Sequence, residues 1–350
     1  MSAVAPTRPR DPRWLGLVAA GLLLALAIID TPGILRGIFT AFLLLLPVPV
    51  GALLLLLVHR LTGGEWGRAM RPALARAAHA LPAVALLVLP ALLWPSLVFR
   101  WAADPASRPS TELARFYLTA PGLALRSLVA LALWSGFALL AAARPDRLTK
   151  GLASLGLVLF GLTVSLVAVD WVLSLDPRFQ SSAFAMSFTV ACLLSATGFA
   201  MATGRGDLPR DDMAKLAAAF ALGLFYLDLM QFLVAYDGNL PDKAAWYLRR
   251  AGPLASVTLA LAFVGAVLLP FALVLISAWR ASPRLQRMVG WAVLVGIALR
   301  TLWWTVPEWQ GSVAFWLALP LAAIAAAALA ALFHERSAFA LRAGRVIHGA

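Results

Sequence analysis

Four ionisable residues stand inside stretches that are otherwise apolar: Arg126, Asp170, Asp228 and Arg300. Charged side chains are costly in hydrocarbon, so residues of this kind are candidates for function by default. All four are expected at a similar depth, near the same ends of their helices, where two cations and two anions could pair. Two interpretations stay open: an ion-pair clasp between helices, or a proton-exchange site or polar edge of a quinone pocket.

Further polar side chains accompany Asp228. Gln231 follows it by three residues, which places both side chains on one face of a helix. A carboxylate at that position is a candidate proton carrier. On the preceding predicted helix Thr189, Cys192 and Ser195 also share a face, a pattern that fits either hydrogen bonds between helices or a proton wire.

The elements that must position these residues are long apolar runs. Hydrophobic residues make up 62% of the 350-residue chain and charged residues 13%, against about 25% charged residues in soluble domains. Runs near 20 residues are long enough to cross a bilayer as helices. We therefore predict an all-α integral membrane protein with about ten transmembrane helices, at 14–29, 38–58, 82–99, 122–143, 151–171, 183–203, 213–236, 253–279, 287–306 and 312–333.

These helices are expected to form a single transmembrane domain over residues 1–350. Two four-helix bundles are predicted within it, over 38–175 and 183–306, with the remaining helices at the periphery. The first predicted helix is short, so it lies flat, tilts or spans a thinned part of the bilayer.

The distribution of basic residues predicts the orientation. With the N-terminus inside, 19 lysines and arginines fall in inside segments and 8 in outside segments. This bias predicts a multi-pass protein of the bacterial inner membrane with both termini in the cytoplasm. It also accounts for the net charge of +13 without nucleic acid as a partner, because the basic residues lie in short loops between apolar runs.

Thirteen tryptophans fit the same arrangement, since many fall near predicted helix ends. That placement is typical of the aromatic belts at membrane–water interfaces. We therefore expect tryptophans such as Trp171, Trp246, Trp303 and Trp304 to face the interface.

Cofactor ligands are scarce. Cys192 is the one cysteine, and the histidines lie at predicted helix ends or in inside segments: His59, His79, His334 and His348. We therefore predict no metal site, no haem and no iron–sulfur cluster in this chain. Any redox role requires a bound quinone or quinol, and a partner protein that holds the metal centres.

Two segments between predicted helices resemble a known family. The first runs from Asp170 to Pro177 and contains Trp171 and Asp176. The second follows Gln231 and contains Asn239, Pro241, Trp246 and Tyr247. Together they resemble the ActF membrane component of alternative complex III, which belongs with the NrfD-like membrane proteins. The resemblance covers about residues 150–310, and Lys243 stands where the family usually has a second acidic residue.

This resemblance implies an integral subunit of a respiratory quinol:electron-acceptor oxidoreductase. Its partners would be the lipid bilayer, a sister NrfD-like membrane subunit, and the iron–sulfur and multihaem cytochrome c subunits that carry the electrons. The chain itself would be a scaffold, and a candidate proton path or contributor to a quinone site. Two other classes remain open from the residues alone: a secondary transporter, and a structural or assembly membrane protein.

Overall fold

The chain folds into apolar helices that run back and forth between two ends. The structure is a computed structural model, which describes residues 13–109, 111–204, 209–238, 240–309 and 311–347. Within these residues nine helices are long and apolar enough to cross a membrane, and a shorter one precedes them. This confirms the predicted all-α membrane fold. The helices are α1 (Arg13–Ile29), α2 (Thr31–Thr62), α3 (Glu65–Leu93), α4 (Ala120–Ala143), α5 (Lys150–Leu175), α6 (Phe184–Thr203), α7 (Arg210–Asp237), α8 (Pro253–Leu275), α9 (Pro283–Glu308) and α10 (Val313–Ile347).

Two helices begin well before the residues predicted from the sequence. α2 begins at Thr31 rather than at 38, because the carboxylate of Asp30 caps it by accepting the Gly33 N–H at 2.9 Å, and Pro32 suits the first turn. α3 begins at Glu65 rather than at 82. Its first half, Glu65–His79, carries arginines on one side and buried small or apolar residues on the other, so hydropathy alone did not reveal it.

Side-chain hydrogen bonds tie the loops together at each end of the molecule. At one end, Arg36 Nε donates to Leu97 O at 2.9 Å, and Trp309 Nε1 donates to Val98 O at 3.0 Å. We call this the motif end, because it contains the loops after α5 and α7 that carry the two sequence motifs.

Side-chain hydrogen bonds also join neighbouring helices at the opposite end of the molecule. Arg71 donates to Ala141 O at 3.2 Å, which joins α3 to the end of α4, and Arg76 donates to Thr203 O at 3.4 Å. We call this the arginine end. Gly16 of α1 lies against Ala328 of α10, so the start of α1 packs beside the middle of α10. The predicted alternation of loops between two sides thus matches the order of the described helices.

Helix contacts run within two sets of four neighbouring helices and also between the sets. One contains α2, α3, α4 and α5, and the other contains α6, α7, α8 and α9. The groups meet where α2 contacts α6, while α1 and α10 lie outside against α2. The contact is close because Gly51 of α2 presents no side chain to the backbone of Cys192. Small residues allow this approach in membrane helices, where van der Waals packing drives association.

Most of the tryptophans expected at the interface are instead buried. Trp171 and Trp246 are almost inaccessible, and Trp303 and Trp304 are packed against other aromatic rings. The belt prediction is wrong for these four residues, because their rings fill the space between helix ends at the motif end. Trp94 and Trp291 are among the tryptophans that remain exposed.

Candidate functional site

A large apolar cavity lies between α7, α8 and α9 near the motif end. Its volume is about 770 Å³, within the range of small-molecule sites. A short helix, Pro241–Leu248, which we call the capping helix, contributes to its wall. Most of the lining residues are apolar, among them Leu224, Phe225, Leu259, Phe263 and Val267, whereas the polar ones are few: Asp228, Tyr236, Tyr247, Arg250, Ser256 and Arg300.

The helix on one side of the cavity is irregular. In α8 residues Val264–Leu268 form a π-helical turn, and three neighbouring residues of this region line the cavity: Phe263, Ala266 and Val267. Gly265 sits so close to α9 that a Cβ there would lie 2.6 Å from Ala292 O. Turns of this kind are frequent at functional sites.

An ion pair stands on the cavity wall. Arg300 Nε lies 2.6 Å from Asp228 Oδ2, and Arg300 Nη2 lies 2.7 Å from Asp228 Oδ1, so the contact is bidentate. The hydroxyl of Ser187 joins both partners: it donates to Asp228 and accepts from Arg300 at 2.6 Å. The Asp228 side chain is 32% exposed, whereas the Arg300 side chain is 9% exposed.

A line of polar groups leads from this pair toward the motif end. Gln231 Nε2 approaches Asp228 Oδ1 at 3.4 Å, and Gln231 Oε1 accepts the Ser181 hydroxyl at 2.7 Å. Ser181 lies in the partly exposed loop between α5 and α6. The carboxylate at the cavity is therefore connected through an amide and a hydroxyl to the loop region. Because the amide N–H of Gln231 donates toward Asp228, these hydrogen bonds orient the carboxylate.

The other predicted pair lies elsewhere. Arg126 Nε lies 2.7 Å from Asp170 Oδ2, and Arg126 Nη2 lies 2.8 Å from Asp170 Oδ1. This pair does not line the cavity, and the Asp170 side chain is only 1% exposed. The guanidinium also lies over the ring of Tyr117 at 3.8 Å. Burial, and then the charge of Asp170, raises the pKa of the Tyr117 phenol above its usual range.

The four charged residues therefore form two separate pairs rather than one cluster. α4 pairs with α5, and α7 pairs with α9. A second bond strengthens the first connection, because Trp171 Nε1 donates to the Ser127 hydroxyl at 2.9 Å. Pairing across helices is as predicted, but a single site made of all four residues is not present.

The polar face predicted on α6 does not form a chain of hydrogen bonds. Thr189 donates to Ala185 O, and Ser195 donates to Ala191 O, each within its own helix. Cys192 is buried at the contact with α2. The α6 side chain that contacts the ion pair is Ser187, two residues before Thr189.

The second sequence motif builds the roof of the cavity. Trp246 stacks on Phe179 with ring centroids 4.2 Å apart, and Tyr247 lines the cavity. Burial, and then the charge of Asp228, raises the pKa of Tyr247 above its usual range, so its hydroxyl stays protonated. Pro241 begins the capping helix. Asn239 of the motif lies outside the described residues.

A buried arginine that sequence reasoning missed holds this roof in place. The Arg250 side chain is 0% exposed, and it donates to the carbonyl oxygens of Trp246, Trp303 and Trp304 at 3.0–3.2 Å. It also pairs with Glu308, and its guanidinium lies 3.5 Å from the centroid of the Trp246 ring. Burial lowers the pKa of Arg250, and the charge of Glu308 opposes that shift. The sequence signal that could have revealed Arg250 is its position directly after the second motif.

The first motif contributes a tie from the neighbouring loop. Asp176 pairs with Arg249, next to Arg250 in the chain. Pro177 follows in the turn that leads to Phe179, beneath Trp246. The two motifs predicted from sequence are therefore in direct contact at the motif end.

Metal ligands do not gather in the part of the chain that the structure describes. No group of three or more histidine, cysteine, aspartate or glutamate side chains there could hold a metal ion. His59 lies at the arginine end and contacts Gly64 O at 3.1 Å, and His79 is buried in α3. The side chain of His334 and the whole of His348 lie outside the described residues.

Comparison with known proteins adds no assignment. No family model matches the sequence, and no curated protein shows significant similarity to it.

Proposed function

We propose that this chain is a membrane subunit of a quinol:electron-acceptor oxidoreductase of the alternative complex III type, and that it contributes a quinone-binding cavity. The observation that carries this proposal is the apolar cavity with the Asp228–Arg300 pair on its wall. Ligand sites are commonly of this kind, mainly apolar with a few placed polar groups.

The lining suits the two parts of a quinone. Apolar side chains such as Leu259, Phe263 and Val267 match an isoprenoid tail. The guanidinium of Arg300 and the phenol of Tyr247 are hydrogen-bond donors suited to a quinone carbonyl oxygen, while the carboxylate of Asp228 can accept from a quinol hydroxyl. Trp303 adds a buried indole N–H without an acceptor among the described residues.

The resemblance to the ActF family suggests the wider role. Oxidation of a quinol releases protons and electrons. Asp228 would accept a proton from the quinol, and Gln231 and Ser181 would hold this carboxylate in place by hydrogen bonds on the side of the motif end. The electrons would pass to iron–sulfur and multihaem cytochrome c subunits, with a sister NrfD-like subunit beside this chain in the bilayer. The two-group helix packing would serve as the scaffold for these partners.

Fluorescence offers a direct test of the cavity, since Trp303 and Trp304 line it. A short-chain quinone added to the purified chain in detergent should quench tryptophan emission saturably. Ala260→Phe places a ring in the cavity and should weaken binding roughly tenfold or more, because overpacking costs about 1–3 kcal/mol. Ala132→Phe is the matched control, on an exposed position of α4 away from the cavity. Equal quenching curves for all three proteins would contradict a quinone site here.

Purification from native membranes tests the class of complex. A tagged chain should co-elute with subunits that show haem absorbance. If the chain elutes without any redox partner, the respiratory assignment is wrong, and a transporter or assembly protein becomes the better interpretation.

A further inference from the structure

A second, smaller cavity lies at the arginine end, far along the chain from the residues of the first. Its volume is about 350 Å³, and it lies where α2 ends, α3 begins and the α4–α5 loop passes. The lining residues come from these three segments: Leu56, His59, Arg60, Gly63, Gly64, Arg68, Arg71, Pro145 and Leu148. None of them takes part in the proposed quinone site.

Positive charge is in excess around this cavity. Arg68 pairs with Glu65, and Arg71 donates to the carbonyl oxygen of Ala141 at 3.2 Å. Arg60 makes no hydrogen bond or ion pair with any described residue. Of the three arginines that line the cavity, two therefore have no carboxylate partner within the described chain, and an anion would compensate their charge.

The backbone at this place also favours an anion. Gly63 and Gly64 have positive φ values of 70° and 104°, and they make the sharp turn between α2 and α3. Gly64 is the N-cap residue of the helix that follows, Glu65–His79, and no side chain caps this helix. Its first N–H groups therefore have no side-chain acceptor, and the positive end of the helix dipole points to the turn.

One side of the cavity is apolar. Leu56, Pro145 and Leu148 line it, and Leu56 lies six residues before α2 ends at Thr62, about 9 Å deeper along the helix at 1.5 Å per residue. The cavity thus joins a basic rim in the loops to an apolar floor within a membrane-spanning helix. Leu56 and Leu148 are buried, so the floor is closed, while the basic rim lies at the ends of membrane-spanning helices, the level at which phospholipid headgroups are found.

We propose that this cavity binds the phosphate of an anionic phospholipid. The guanidinium groups of Arg60 and Arg71 contact the phosphate oxygens, and the acyl chains stay in the bilayer outside the cavity. Basic pockets between membrane helices bind anionic headgroups in this way. The shared chemistry is a phosphate group, which inorganic phosphate could also supply, so the experiment must separate the two sources.

The test measures lipid binding to the purified full-length chain by native mass spectrometry and by thermal unfolding. Phosphatidylglycerol, phosphatidylcholine and inorganic phosphate are added in turn. We expect retention of phosphatidylglycerol and a rise in melting temperature with this lipid alone. Arg60→Gln should lower its affinity about fivefold, since one basic residue near an anionic lipid surface contributes about 1 kcal/mol. The control is Arg284→Gln, which removes one exposed charge from the same end outside the cavity and should leave affinity unchanged.

Three outcomes would overturn the proposal. Equal binding of phosphatidylcholine would show that no charge is recognised. Equal losses in Arg60→Gln and Arg284→Gln would show a diffuse surface effect. Stabilisation by inorganic phosphate that Arg60→Gln abolishes, without retention of lipid, would assign the cavity to a free anion. Arg60 contacts no described residue through a hydrogen bond or ion pair, so its variant should fold, and the melting temperature without lipid checks that it does.

Discussion

The two ion pairs between membrane helices have the same bidentate geometry and different surroundings. Asp170 is sealed between α4 and α5, whereas Asp228 keeps about a third of its side chain open to the cavity. A sealed carboxylate can only fasten helices, because no ligand reaches it. An open one can also meet a ligand or exchange a proton. We therefore interpret the Asp170 pair as a clasp, and in the proposed quinone site the chemistry falls to Asp228.

Substitution of each aspartate by asparagine separates these roles. Asp170→Asn should lower the free energy of unfolding by roughly 3–5 kcal/mol, because it leaves Arg126 without its partner in a buried site. Asp228→Asn should cost less, since that site is partly open, but it should abolish quinone quenching. Detergent-based unfolding and the fluorescence titration measure the two effects.

The double variant Asp228→Asn with Arg300→Gln completes the comparison. It should recover stability, because no unpaired charge remains, yet it should not recover quinone binding or proton-coupled turnover. If both single aspartate variants keep normal stability and normal binding, neither pair belongs in an account of function.

The capping helix and its loop depend on one side chain. Arg250 joins the loop after the capping helix to the end of α9 through the carbonyl oxygens of Trp303 and Trp304 and through Glu308. It also donates to Trp246 O in the capping helix. Lysine keeps the charge but lacks the planar fork that reaches several acceptors at once. The roof of the cavity should therefore loosen when Arg250 is replaced, although the membrane helices stay folded.

Arg250→Lys is expected to raise hydrogen exchange in residues 241–248 and to weaken quinone binding. Loss of even one charged hydrogen bond costs about 1.5–3 kcal/mol. Arg249→Lys is the neighbouring control: Arg249 is 40% exposed, and its pair with Asp176 should contribute little. Identical exchange in both variants would show that Arg250 does not hold the capping helix.

Contacts between helices depend on glycines at particular positions. A Cβ on Gly51 would lie 1.8 Å from the carbonyl oxygen of Cys192, a backbone atom that cannot rotate away. Gly136 of α4 has nothing within 4 Å of the same added atom. The sequence context does not distinguish these two glycines, since both stand within apolar helices.

Gly51→Ala should force α2 away from α6 and lower the free energy of unfolding by about 1–3 kcal/mol or more, as overpacking does. Gly136→Ala should be neutral or stabilising by up to about 1 kcal/mol, because alanine is the better helix former. Both can be measured by unfolding in detergent. A stable Gly51→Ala protein would mean that the two helix groups tolerate separation.

At the scale of the whole molecule, successive helices alternate in direction. The side of the membrane on which one loop lies therefore fixes the side of every other loop. Alkaline phosphatase fused after Asn239 should be active, and fused after Arg210 inactive, because the motif end is expected outside and the arginine end in the cytoplasm. The opposite pattern would invert the molecule in the membrane. It would also exchange the sides on which the large apolar cavity and the basic cavity lie.

Local properties of the chain were readable from the sequence. Hydropathy over consecutive residues identified nearly all spans, and the same reading singled out Arg126, Asp170, Asp228 and Arg300 because charge is rare in apolar runs. It failed for the first half of α3, whose arginines lie on one face, and for the tryptophans, whose burial depends on neighbours from other helices.

Only the tertiary structure decided which cation meets which anion, and that the two pairs are separate. Tertiary structure also determines where the two cavities form, that Arg250 is buried, and that α2 and α6 approach closely at Gly51. The physical reason is that hydrophobicity acts on each helix separately through the bilayer. Pairing, cavities and close contacts depend on the rotation, depth and spacing of helices distant in sequence, which no single segment encodes.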